Sequence, residues 1–218
     1  MNKLRLRYSK TGKAKYISHL DLSATMQRAL IRAGIALKYS EGFNPHPYMS
    51  VALPLSVGME SVCELMDVGL IEALDLSELP GQITHCLPEG ISIIDAYYSP
   101  SKFAMLAWVE ISGTMHYSGG VPQDAAKRLA ERFSEDVIEI SKKTKRGFST
   151  INISEFISDI SFDGSDEIVV RAKLSAQNPT LNPGNLLDAL SGEFSELAPD
   201  FSSFRRIEAF DTNMNVFR

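Results

Sequence analysis

His19 and His46 are the side chains whose setting points most directly to chemistry. His19 stands two residues before Asp21 at the start of a helical segment, and His46 lies between Pro45 and Pro47 in the loop SEGFNPHPYMS, Ser40 to Ser50. Two imidazoles beside a basic surface can act as general base and general acid in attack by an RNA 2′-hydroxyl, with arginines neutralising the phosphorane charge. The plainer alternative is that His19 satisfies backbone groups at a helix start while His46 hydrogen-bonds within its own loop. Proline fixes its own φ and pushes the residue before it to extended backbone, so Asn44 and His46 are presented at low entropy cost beside Phe43 and Tyr48. A rigid loop of this composition suits ligand contact.

Charge is unevenly spread. Residues 1 to 48 hold nine Lys/Arg against Asp21 and Glu41, hence +7, whereas the remaining 170 residues hold 13 against 25 acidic residues, hence −12. A local basic surface attracts phosphates whatever the total charge. Arg5, Arg7, Lys15, His19, Arg28, Arg32, Asn44 and His46 are the candidate nucleic-acid contacts, and Tyr8, Tyr16, Phe43, Tyr48 and Phe148 are aromatics of the kind that stack on unpaired bases. Lys142, Lys143, Lys145 and Arg146 form a second basic cluster, read equally as a solvated turn or a phosphate site.

Other chemistry finds no motif. The chain has no G-x-G-x-x-G, Walker A, G-x-S-x-G or H-E-x-x-H pattern. Its two cysteines, Cys63 and Cys86, lack disulfide or metal spacing, so no cofactor or metal is expected. No apolar run approaches the ~18 residues of a membrane span, and the basic N-terminus lacks a signal-peptide core, which reads as a cytoplasmic protein without a membrane partner.

The elements that would position these residues follow from periodicity. Leu4 to Lys10 alternates apolar and basic residues, so Arg5 and Arg7 are expected on the open face of a strand that Ala14 to Ile17 can continue. Ser18 and Asp21 form a capping-box-like start to a helix carrying Leu22, Met26, Ala29, Leu30 and Ala33 on one face, and Gly34 ends it. Strands are expected over 49–58, 61–74 and 90–99, with a short helix over 77–86 between the last two. In the second half we expect strand 105–113, helix 123–133, a hairpin of 137–142 with 148–153, strand 164–175, helix 183–190 after Asn182, and strand 204–210. A β-α-β-β-α-β order in each half predicts an α+β protein of tandem ferredoxin-like domains with antiparallel sheets, residues 1–100 and 101–218, with one strand of the second half unplaced.

KYISHLDL, RALIRAG, YSEGFNPHP and MSVALPLSVGMES, with Glu64 and Asp67, make the stretch Lys15 to Asp67 similar to the bacterial radical-SAM-associated (radical-SAM-linked) family, a domain of unknown function. KRGFSTINISEFI is a weaker echo. The resemblance implies a radical SAM protein as partner, and a helper role in RNA or ribosome metabolism. Tyr48 stands where that pattern leads one to expect a basic residue. Cys63 and Cys86 are too few and too far apart for the three thiolates of a radical SAM cluster, so a partner would supply it. The expected function is thus an RNA-binding accessory protein. The competing readings are a metal-independent endoribonuclease using His19 and His46, and a small-molecule or protein-docking module.

Overall fold

The protein is described by a computed structural model covering residues 2–98, 101–144 and 147–218. It is a mixed α/β chain with antiparallel strand pairs and few helices. Its contacts divide it into two compact units, Met1–Met105 with Arg218, and Leu106–Phe217.

In the first unit, strand β1 (Asn2–Lys10) is followed by helix α1 (His19–Arg32), β2 (Met49–Val51), β3 (Glu60–Leu70), helix α2 (Leu79–His85) and β4 (Ile91–Tyr98). Strand β1 pairs with both β3 and β4, and β2 pairs with β3, so the antiparallel order is β4-β1-β3-β2. Leu4, Leu6 and Tyr8 of β1 are fully buried and pack with Leu22, Met26 and Leu30 of α1, Met66 and Val68 of β3, and Ile83 of α2. The period-two stripe of the strand thus meets the 3.6-period stripe of the helix, each buried aliphatic side chain contributing roughly 1.5–3 kcal/mol. Tyr8 belongs to this core and is not available for stacking.

Helix α1 begins as its sequence requires. The Ser18 hydroxyl accepts from the Asp21 N–H at 3.2 Å and donates to the Asp21 carboxylate at 2.7 Å. It ends in a Schellman motif, with Gly34 at φ 77, Gly34 N–H donating to the Ile31 carbonyl and Ile35 N–H to that of Leu30, both at 3.0 Å. Residues 12–16, expected to prolong the strand, form a 3-10 helix instead. The reason is Thr11, whose N–H donates at 2.8 Å to the Gly90 carbonyl, and Gly12 at φ 58, which turn the chain out of the sheet. The strand expected over 49–58 is only three residues long, because Pro54 and the turn at Ser56–Met59 take the chain away from β3.

The second unit runs β5 (Leu106–His116), α3 (Ala125–Phe133), β6 (Glu139–Thr144), β7 (Gly147–Asn152), β8 (Ile157–Asp163), β9 (Ile168–Ser175), α4 (Pro183–Asp188) and β10 (Phe201–Asp211). Its larger sheet has the order β10-β5-β9-β8. Strand β8 was not among the expected elements. The pair β6–β7, expected as a hairpin, forms a two-stranded sheet of its own, and β8 stands beside β9. The Phe204 ring of β10 covers Gly113 of β5 so closely that an added Cβ would lie 2.2 Å from it.

Candidate nucleic-acid interface

Arg5 does emerge on the face opposite Leu4 and Leu6, but that face is covered there, and the expectation of an exposed contact at Arg5 is corrected. Asp67 stands directly across on β3, and Arg5 is fully buried against it. Its Nε donates to Asp67 Oδ1 at 2.7 Å and a terminal nitrogen to Oδ2 at 3.0 Å, a bidentate geometry. The Ser101 hydroxyl accepts from Nη1 at 2.6 Å, the Ser101 carbonyl accepts at 3.0 Å from the same Nη2 that meets Oδ2, and the guanidinium lies 4.4 Å from the Phe103 ring centre. Lys3 adds its ammonium to the same carboxylate at 2.8 Å. Arg7 is half-buried.

Lys10, at the far end of β1, is also buried. Its ammonium donates to the Ile17 carbonyl at 2.6 Å. Burial lowers its pKa below the ordinary lysine value, and the nearby Glu64 carboxylate opposes that shift. The buried Glu64 and Asp67 are the acidic complement of the basic strand, and the residues ELMD of β3 were the signal for it. Much of the basic charge of β1 is therefore spent inside the unit.

The exposed cations lie elsewhere. Lys13, Arg28, Arg32 and Lys38 are exposed and Lys15 is half-buried, with the Lys15 ammonium 5.3 Å from the exposed Tyr16 ring. Arg32 also donates to the Cys86 carbonyl at the end of α2. Arg28 and Arg32 are one turn apart on the last turns of α1, with exposed Ile31 between them.

The loop after α1 is a tied hairpin. Tyr48 N–H donates to the Lys38 carbonyl at 2.9 Å, Ser40 N–H to that of His46 at 2.8 Å, and His46 N–H returns to the Ser40 hydroxyl at 3.1 Å. His46 Nδ1 lies 3.1 Å from the Asn44 carbonyl oxygen and 3.3 Å from the Ser40 hydroxyl; the carbonyl can only accept, so a hydrogen bond to it has Nδ1 as the donor. At the tip stands Phe43, with 111% relative exposure, flanked by exposed Tyr39 and Tyr48. The hairpin is held to β3 by Lys38 N–H to the Gly69 carbonyl at 2.8 Å and Gly69 N–H to that of Tyr48 at 2.7 Å.

These ties separate the two candidate catalytic histidines. His46 belongs to the end of β1 where Lys3 faces Gly69, and it lines one cleft with Lys3. His19 follows Ile17, whose carbonyl is held by Lys10. Seven residues of strand between Lys3 and Lys10 span roughly 23 Å. The geometry therefore brings His46 together with Asn44, Tyr48, Lys3 and Lys38, and leaves His19 at the other end of β1, so the histidines are not joined into one acid–base pair. Lys3 and Lys38 were not among the expected contacts; the signal was their flanking of the strand and loop ends.

A family profile described as an uncharacterized protein conserved in bacteria (DUF2344) matches residues 3–183. The chain belongs to this family. Membership in a bacterial family of unknown function is as expected, while the family's description names no radical SAM partner. No curated protein matches the chain. Among solved structures it is similar to a chain of a Cbf5-Nop10-Gar1 complex, at 13% identity and a TM-score of 0.49, over 94% of this chain and 48% of that one. It is similar also to a chain of an H/ACA RNP bound to a substrate RNA containing 2′-deoxyuridine, at 12% identity and a TM-score of 0.45, over 94% and 46%. The chain thus spans about half the length of the chains it matches.

In the second unit, Lys142 donates to the Thr180 carbonyl at 3.0 Å. Lys145 and Arg146, and the side chains of Lys143 and Phe148, lie outside the described residues. Cys63 is buried and Cys86 half-buried, and neither is in a disulfide. Among the described residues no cluster of three His, Cys, Asp or Glu is placed to hold a metal, and no helix is long and apolar enough to cross a membrane.

Proposed function

We propose that this chain is an RNA-binding accessory protein, assisting a radical SAM partner in RNA or ribosome-related modification, and that its two units are tandem ferredoxin-like domains. The observation that carries the RNA reading is Phe43, wholly exposed on a hairpin tip whose backbone is tied shut. A rigid exposed ring loses little entropy when an unpaired base stacks on it, and such stacking contributes roughly 1–3 kcal/mol per base. Lys38 at the hairpin base and Arg28 and Arg32 on the preceding helix supply cations for the phosphates. The radical SAM partner is supported by the resemblance over Lys15 to Asp67. The domain reading is supported by the strand orders β4-β1-β3-β2 and β10-β5-β9-β8, each with two helices at corresponding places in the chain.

Fluorescence anisotropy with a labelled single-stranded RNA tests the RNA reading. We expect affinity to fall with salt and Phe43→Ala to weaken binding by roughly tenfold. Absence of RNA binding by the wild type sinks the function, and wild-type affinity in Phe43→Ala sinks the stacking site. The endoribonuclease reading has the separation of His19 and His46 against it, and metal-free incubation with structured RNA should leave the RNA intact.

A further inference from the structure

A cleft of about 260 Å³ opens at the foot of the hairpin, lined by Lys3, His46, Tyr48, Ser50 and Asp67 among others. Its polar groups differ in what they still have to offer. The Asp67 carboxylate already receives Arg5 and Lys3, so it presents no unmet demand for a cation. Lys3 keeps a partly exposed ammonium stem, with 35% of the side chain exposed, and brings a positive charge to the wall. His46 is the informative member. With Nδ1–H donated to the Asn44 carbonyl, beside the Ser40 hydroxyl at 3.3 Å, the neutral tautomer turns Nε2 into a hydrogen-bond acceptor. Acceptors of this kind repel phosphate oxygens and favour a hydroxyl or amino donor.

Resting on the RNA-binding reading, we infer that this cleft takes the ribose of an unpaired ribonucleotide whose base stacks on the hairpin aromatics, and that His46 Nε2 accepts the hydrogen bond of its 2′-hydroxyl. The ring's orientation is already held by the Asn44 carbonyl, so little ordering is required at the moment of binding. A single neutral hydrogen bond of this kind corresponds to roughly two- to tenfold in affinity. The site therefore distinguishes RNA from DNA, which phosphate contacts and base stacking alone do not.

The test compares a short single-stranded RNA with the 2′-deoxy oligomer of the same sequence, titrated against the full chain. Wild type should prefer the RNA by several-fold. His46→Asn places an amide nitrogen near the Nδ1 position, preserving the tie to Asn44 while removing the Nε2 acceptor, and it should bring the RNA-to-DNA ratio close to one. His46→Gln, whose amide reaches the Nε2 position, should restore part of the preference. Equal affinity of the wild type for both oligomers overturns the proposal while leaving the RNA-binding reading in place. A preference kept in His46→Asn overturns it as well, and failure to bind either oligomer overturns both.

Discussion

Arg5 and Asp67 show how one pair decides what a basic strand is for. A guanidinium that is fully buried has lost its water, and only the bidentate carboxylate, the Ser101 oxygens and the Phe103 ring replace it. Breaking such a pair from one side leaves the other charge buried without compensation. Asp67→Asn should therefore destabilise the fold by about 3–5 kcal/mol in urea denaturation. The opposite outcome, a loss below about 1 kcal/mol, would mean that water or another group reaches Arg5. Binding should respond differently: Lys38→Ala, at an exposed position, should lower RNA affinity with little effect on stability.

At the level of elements, the hairpin of residues 38–48 and the pair β5–β10 pose opposite problems. The hairpin is exposed and holds its shape by internal hydrogen bonds, with Ser40 at the centre. The strand pair is partly buried, and its register places the half-buried Phe204 directly across from Gly113. An added Cβ at Gly113 would meet the ring at 2.2 Å and the Ser203 carbonyl oxygen at 2.7 Å, so both a side chain and backbone would have to move. Gly113→Ala is expected to cost about 1–3 kcal/mol. Thermal denaturation of Gly113→Ala alone and combined with Phe204→Leu checks it: the smaller side chain should recover part of the loss, and equal loss in both variants would place the strain in the backbone.

Across the whole molecule, the charge difference between the first 48 residues and the rest is larger than the difference that reaches the surface. Of the nine early cations, Arg5 and Lys10 are buried, while Lys13, Arg28, Arg32 and Lys38 remain exposed. Nucleic-acid binding should accordingly follow the helix and the hairpin. Arg28→Ala/Arg32→Ala should flatten the slope of log affinity against log salt by roughly 1.4 on single-stranded RNA, since each phosphate contact contributes about 0.7. Lys142→Ala/Lys143→Ala serves as the comparison in the second unit, and a larger loss of slope there would move the interface to β6–β7.

The sequence by itself determined the local features: the capped start of α1 and its end at Gly34, the alternation that buries Leu4, Leu6 and Tyr8, and the turn-forming Asn44-to-Pro47 segment. Each depends on residues near one another in the chain, where propensity, periodicity and proline act directly. Tertiary structure alone decided which cations are free, because that depends on what lies across the strand: Arg5 meets Asp67, 62 residues away. It likewise decided that β8 rather than β6–β7 joins β9, since pairing is set by the partner strand and its register rather than by either segment alone. The separation of His19 from His46 was beyond sequence for the same reason. Both flank one helix and its loop, but hydrogen bonds to Lys10 and Gly69 fasten them to opposite ends of the sheet.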